Sequence, residues 1–176
     1  MTDLFTTLRT TCLDEWQTYT KHKFISGIAD GTLPETCFRH YLGQDYLFLI
    51  HFARAYALAA YKSDTLEDIR QASIGLTAII DVEMGLHVGF CRRWGLSEPQ
   101  MATLPEATET MAYTRYVLEK GLQGDLLDLH VALAPCMLGY AEIGKTLAND
   151  SNTKTDGNPY MPWIDMYASD ESFNYP

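Results

Sequence analysis

From Glu35 to Lys62 the sequence runs "ETCFRHYLGQDYLFLIHFARAYALAAYK", with no proline and with Gly43 as its one glycine. Ala, Leu and Tyr dominate this stretch, and nothing in it alternates as a half-buried strand would. It predicts one long helix. A helix this apolar on every side has no face suited to water, so it must cross a core and be wrapped by other elements. The rest of the chain supplies helical patterns and no strand signal of any length. The fold class that follows is all-α, a multi-helix bundle.

The wrapping elements can be read along the chain. Leu4, Phe5, Leu8, Cys12, Trp16 and Tyr19 recur at spacings of three and four, which predicts one amphipathic helix over residues 2–20. Gly27, Gly31 and Pro34 then break the periodicity, and "ADGTLP" is turn chemistry, with Thr32 or Pro34 placed to start the long helix. Ser63-Asp64-Thr65 makes a short break with N-capping residues. A third long helix is expected over residues 66–94, capped at Gly95, followed by a connection or short helix in "SEPQMATLPEA". Residues 106–120 predict a helix closed at Lys120-Gly121, and residues 123–148 another, bent at Pro135. "NDSNTKTDGNP" is polar loop, and residues 160–173 begin a further helix. The 176 residues suffice for one domain with a proper core, so residues 1–176 are expected to form a single domain.

Composition narrows the partners. The chain is 47% hydrophobic and 20% charged, as a globular protein is, and its net charge is −10. That balance argues against nucleic acid and against an anionic membrane surface, since both need a basic face. "MTD" lacks the basic start of a signal peptide, and no unbroken apolar run reaches the ~18 residues of a membrane span. Cys12, Cys37, Cys91 and Cys136 are widely spaced, with no CxxC pair, so reduced thiols in a cytoplasmic protein are expected.

Three places carry potential chemistry. "ALAPCMLGYAEIG" sets Cys136 straight after Pro135 and four residues before Tyr140, on one helix face. A lone helical cysteine ordinarily serves as a small buried hydrophobe. Here the proline frees the carbonyl of Val131 and kinks the helix, which could aim the sulfur into a cavity. In "QDYLF", Asp45 lies among apolar neighbours, where a carboxylate is costly unless paired. It either reaches a rim or a distant partner, or accepts N–H groups from an amine or a protonated ring, with Phe48 three residues on as an aromatic face. "DVEMGLH" sets Glu83 and His87 four residues apart. With Asp45 these could mimic a carboxylate-rich di-iron site, but such bundle sites use Glu-x-x-His and repeat it, and this chain does neither. Tyr113, Tyr140 and Tyr167 could wall a pocket for a flat polar heterocycle.

"FISGIADGTLPETCFRHYLGQDYLFL", "VEMGLH", "ALAPCMLGYAEIG" and "WIDMYASDESF" occur in this order, in a resemblance that runs from about residue 5 to residue 173. Together they closely resemble the cysteine-containing branch of the TenA/thiaminase II family. The resemblance implies a haem-oxygenase-like bundle without haem, no cofactor and no metal, usually a cytoplasmic homotetramer. It implies a hydrolase of thiamin salvage that converts 4-amino-5-aminomethyl-2-methylpyrimidine to the hydroxymethyl pyrimidine, and in many members cleaves thiamin itself. Cys136 matches the family nucleophile and Asp45 the carboxylate that holds the aminopyrimidine edge. Tyr113, Tyr140 and Tyr167 match pocket tyrosines, and Glu83 and His87 match positions near the pocket floor. Phe48 stands where the family often has a stacking tyrosine. Members usually continue past "ESF" into helices that carry an acid/base glutamate, so the resemblance implies that this sequence lacks the last family helices. Glu142, six residues from Cys136, is on the wrong side of the helix to replace that glutamate. Two other functions fit parts of the pattern: a non-catalytic pyrimidine-binding or regulatory member of the same fold, and a metal-dependent oxygenase.

Overall fold

The structure, a computed structural model, describes residues 3–169, and these form helices and turns with no strand among them. The chain divides into two compact units: Glu35–Leu133, and residues 3–34 together with residues 134–169. The part of the expected last helix at residues 170–173 lies outside the described residues.

In the first unit the long helix α4 occupies Glu35–Lys62, the bounds its composition predicted. Phe38, Leu42, Leu49, Phe52, Ala55 and Ala59 are buried along it. Around it pack α5 (Leu66–Thr77), α6 (Met84–Arg93), α7 (Glu98–Ala102) and α8 (Thr108–Gln123). Gly43 of α4 has a packing reason: a Cβ there would lie 2.5 Å from a methyl of Leu104. Thr65 caps α5, its hydroxyl accepting the Asp68 N–H at 3.1 Å. The helical run predicted over residues 66–94 is interrupted by a π-helical segment, Ala78–Glu83, between α5 and α6. A π turn inserts one extra residue and rotates the face that follows it, and such turns recur at functional sites. The run ends at Trp94, with Gly95 in the left-handed region at φ 72°. A capping box of Ser97 and Gln100 opens α7. Helix α8 continues through Gly121 instead of stopping there. Side chains of Leu58 and Leu129 come within 2.7 and 2.8 Å of where a Cβ would be, so this glycine serves close packing and not a cap.

In the second unit the single helix expected over residues 2–20 is two, α1 (Leu4–Thr11) and α2 (Leu13–Thr20), parted at Cys12, whose φ and ψ of −117° and 41° are not helical. Asp3 caps α1 through the Thr6 N–H at 2.7 Å. The glycine-bearing stretch read as punctuation holds a further helix, α3 (Lys23–Asp30), which ends at Gly31 with φ 73°. Buried Asn158 gathers the turns: its amide donates to the carbonyls of Ile28 at 2.9 Å and Lys154 at 2.9 Å, and its oxygen accepts from Tyr160 N at 2.9 Å. The Tyr160 hydroxyl donates to the Leu33 carbonyl. Helix α9 spans Leu126–Asn149 with Pro135 inside it and gives residues to both units. Helix α10 covers Met161–Ala168. Within this unit, Glu142 of α9 accepts from Arg9 at 2.8 Å and from the Trp16 indole at 3.1 Å.

Leu66–Arg93 and Leu126–Asn149 are long and apolar enough to cross a membrane by length and composition. Core helices of folded proteins pass the same test.

Two glycine substitutions should separate packing from propensity. A Cβ on buried Gly144 would meet the Tyr167 backbone at 2.4 and 2.5 Å, which cannot step aside. Gly144→Ala is expected to lower stability by at least about 2 kcal/mol in urea denaturation. Exposed Gly89, inside α6 with nothing within 4 Å of a new Cβ, should do the reverse. Gly89→Ala is expected to stabilise by about 0.5–1 kcal/mol.

Candidate active site

The first unit draws together five of the eight residues singled out from the sequence. Asp45 and Phe48 lie one turn apart on α4, Glu83 closes the π segment, His87 follows on α6, and Tyr113 is on α8. Asp45 does not reach a solvent rim: its side chain is 12% exposed and that of His87 7%. His87 Nδ1 is 3.5 Å from Asp45 Oδ2, and the Tyr41 hydroxyl donates to the same oxygen at 3.5 Å. The other ring nitrogen, His87 Nε2, is 3.0 Å from the Leu42 carbonyl, with Cys91 Sγ 3.3 Å from it. Phe48 stacks on Tyr113 at 5.9 Å and 10° and on Phe52 at 5.5 Å and 25°, while the Tyr113 hydroxyl donates to the Ala132 carbonyl at 3.0 Å.

Burial sets the electrostatics. Asp45 is raised above the usual carboxylate range by desolvation, against the pull of His87 and the Tyr41 hydrogen bond. Glu83 is pushed up to about 7, by burial first and by the charge of Asp45 second. The same two causes drive the Cys91 thiol up to about 12, which makes it an inert sulfur. A buried acid, a near-neutral second acid and a flat aromatic stack suit a planar ligand with N–H donors on one edge.

The second unit holds the other three. Cys136 is half-buried on α9 and follows Pro135, whose carbonyl accepts the Tyr19 hydroxyl at 3.1 Å. The Tyr19 ring lies where a Cβ of Gly139 would be, at 2.4 Å, so only glycine admits this ring against α9. Tyr140 and Tyr167 meet at 4.8 Å, and Trp163 joins them at 4.7 Å from Tyr167. Glu142 is held by Arg9 and Trp16.

Sequence reasoning missed Tyr41, although it precedes Asp45 by four residues and so shares its helix face. It missed Tyr19 and Trp163, whose roles come from tertiary packing that no local pattern signals. The di-iron alternative fails on geometry: among the described residues no three of His, Cys, Asp or Glu are grouped to hold a metal ion.

The Glu83 environment fixes a pH effect. The folded chain keeps the Glu83 proton up to about pH 7, whereas the ordinary value is 4.5. More protons are therefore bound folded than unfolded in this window, and the group costs stability as pH rises through it. Glu83→Gln should be nearly neutral in urea denaturation at pH 5 and stabilising by about 2 kcal/mol at pH 8. Equal stability of variant and parent at pH 8 would contradict the assignment.

The family model described as "TENA/THI-4/PQQC family" matches residues 11–174. A Haemophilus influenzae protein of uncharacterised role is 42% identical over 156 residues, covering 89% of this chain and 72% of its own. An aminopyrimidine aminohydrolase from Halalkalibacterium halodurans is 39% identical over 156 residues, covering 89% of this chain and 69% of its own. The crystal structure of a TenA family transcription regulator from Silicibacter superposes with a TM-score of 0.90 at 45% identity, covering 97% of this chain and 74% of that one. Other solved neighbours are TenA homologues with the all-α haem-oxygenase-like fold. With the described helices and the family match over nearly all of its length, this chain belongs to the TENA/THI-4/PQQC family.

Proposed function

We propose that this chain is a hydrolase of thiamin metabolism that acts on aminopyrimidines. Its substrate on this reading is 4-amino-5-aminomethyl-2-methylpyrimidine, which it converts with water to the hydroxymethyl pyrimidine and ammonia; thiamin is a second candidate substrate. Family membership supports this, as does the aminohydrolase name of the 39% identical relative. The observation that carries it is Asp45, a buried carboxylate whose partners crowd onto one oxygen. Such a group is costly to bury and suits an N–H-bearing ring.

In the mechanism the Cys136 thiolate adds to an electron-poor ring carbon, and the displaced electron pair moves onto the ring nitrogen. Asp45 holds that nitrogen and the amino group, which favours the protonated ring. The adduct expels ammonia, or the thiazole of thiamin, from the exocyclic methylene. Water then adds to the methylene and the thiolate leaves, so one hard displacement becomes two easier steps. Phe48, Tyr113, Tyr140 and Tyr167 contact the ring and its leaving group, with Glu83 and His87 at the floor. Phe48 keeps the stacking face and lacks the hydroxyl of a tyrosine. The reaction needs no metal or cofactor. The family match running unbroken over residues 11–174 supports one TenA-like domain, which we assign to the cytoplasm as a homotetramer.

The second reading is a pyrimidine-binding regulator without turnover. It draws on the name of the Silicibacter structure, a transcription regulator, and the net charge of −10 weighs against direct contact with nucleic acid. Ammonia release from the aminomethyl pyrimidine separates the two. The parent chain should release it, and Cys136→Ser should lose at least about 10³-fold in kcat. Binding of the pyrimidine by the parent with no product would favour the regulator, and near-normal turnover by Cys136→Ser would remove the nucleophile.

A further inference from the structure

Donor accounting in the first unit assigns His87 a role that helix spacing does not. The Leu42 carbonyl can only accept, so Nε2 of His87, 3.0 Å away, carries a hydrogen. Nδ1 is then the atom that faces Asp45 Oδ2 at 3.5 Å. A bare Nδ1 against an ionised carboxylate would set lone pair against lone pair in a buried place. The pair therefore holds one proton between Nδ1 and Oδ2. Tyr41 also donates to Oδ2, and no described residue bonds Oδ1. Oδ1 accepts whichever of the two atoms the proton rests on.

We propose that His87 is the positioning residue for Asp45: anchored on the Leu42 carbonyl, it occupies Oδ2 with a proton and leaves Oδ1 as the single oxygen that receives a ligand N–H. This rests on the reading of Asp45 as the pyrimidine-holding carboxylate, and it moves His87 from ligand contact to support of the residue that makes the contact. The titratable groups around the pair are Tyr41 on α4, Glu83 at the end of the π segment and Cys91 on α6. Neither Tyr41 nor Cys91 is a base that would compete for the proton at neutral pH. Tyr41 donates to Oδ2 and the Cys91 thiol stays protonated, while Glu83, raised to about 7 by burial first and by Asp45 second, titrates in the neutral range. The rigidity of the arrangement comes from α4 itself, since Tyr41, Leu42 and Asp45 are adjacent on one turn.

Two measurements on the full chain decide it. The first needs no ligand: imidazole ¹⁵N spectra of the parent from pH 5 to pH 8. His87 should show a protonated Nε2 throughout and an Nδ1 that is never bare while Asp45 is ionised. A bare Nε2, or a bare Nδ1 beside ionised Asp45, would overturn the proposal. The second uses His87→Gln, whose amide can still donate to Leu42 but offers no ring nitrogen to Asp45. With 4-amino-5-aminomethyl-2-methylpyrimidine as probe, KM should rise about tenfold or more and kcat should fall with it, since Asp45 both holds the ring and favours its protonated form. KM should also become more pH-dependent, rising as pH falls, because loss of His87 removes a group that favours the ionised form of Asp45. Unchanged KM with the parent's pH profile would overturn the proposal, and so would a fall in kcat at constant KM. If the parent neither binds nor turns over the pyrimidine, the functional reading fails, and the ligand-free spectra still decide the pairing.

Discussion

A carboxylate buried inside a long core helix has to be held by something, and much of the Glu35–Leu133 unit is arranged around that need. Leaving the Asp45 charge bare would cost several kcal/mol. The cost is met by three groups that α4 and α6 bring within reach: the Tyr41 hydroxyl, the His87 ring and, behind it, the Leu42 carbonyl that orients the ring. Each depends on helical register. Tyr41 and Leu42 precede Asp45 by four and three residues, the spacings at which side chains and carbonyls share a face. His87 arrives because the π segment has already rotated α6 relative to α5. Burial of the same cluster, with the Asp45 charge adding to it, raises Glu83 and silences the Cys91 thiol.

The unit containing Cys136 is stabilised by different means. Its buried apolar residues include Trp16, Ile28, Ile143, Leu147, Trp163 and Ile164, and Asn158 and Glu142 are its main polar fasteners. Asn158 meets its hydrogen-bonding capacity with backbone groups, and Glu142 takes two donors from α1 and α2. Two glycines of α9 let other groups approach the helix axis: Gly139 admits the Tyr19 ring and Gly144 the Tyr167 backbone. Those approaches fix Tyr19 on the Pro135 carbonyl and set Tyr167 against Tyr140, so the surroundings of Cys136 are ordered by small residues as much as by large ones.

The sequence was most legible where a segment's own pattern decides its state. Helix α4 could be bounded correctly because it is rich in Ala, Leu and Tyr, starts just after Pro34 and ends before Ser63-Asp64-Thr65. Glycines were the least legible, since the same residue can stop a helix or let two helices touch. Gly95 and Gly31 do the first, at φ 72° and 73°, and Gly121 does the second; Gly27 lies inside α3 against the Leu33 backbone of the turn that follows, and reading it as punctuation hid α3. The π segment has no local signature at all. For the site, the burial of Asp45 was foreseen as a cost that needs a partner. The partner's identity was not, because His87 lies 45 positions away from the carbonyl that orients it and only the tertiary fold brings the two together. Of the tyrosines expected to wall a pocket, Tyr113 stacks on Phe48 and Tyr140 meets Tyr167. Their contact with a substrate remains part of the functional proposal.

The central claim is that Asp45 is kept in the core in order to receive a ring edge. The most direct measurement is a crystal structure of the chain soaked with 4-amino-2-methylpyrimidine, the substrate ring without its leaving group. The account predicts the amino group and a ring nitrogen at hydrogen-bonding distance from Asp45, with Oδ1 as the acceptor and the ring near Phe48. A ring bound away from Asp45, or an Asp45 whose two oxygens are both taken by protein groups in the complex, would contradict it.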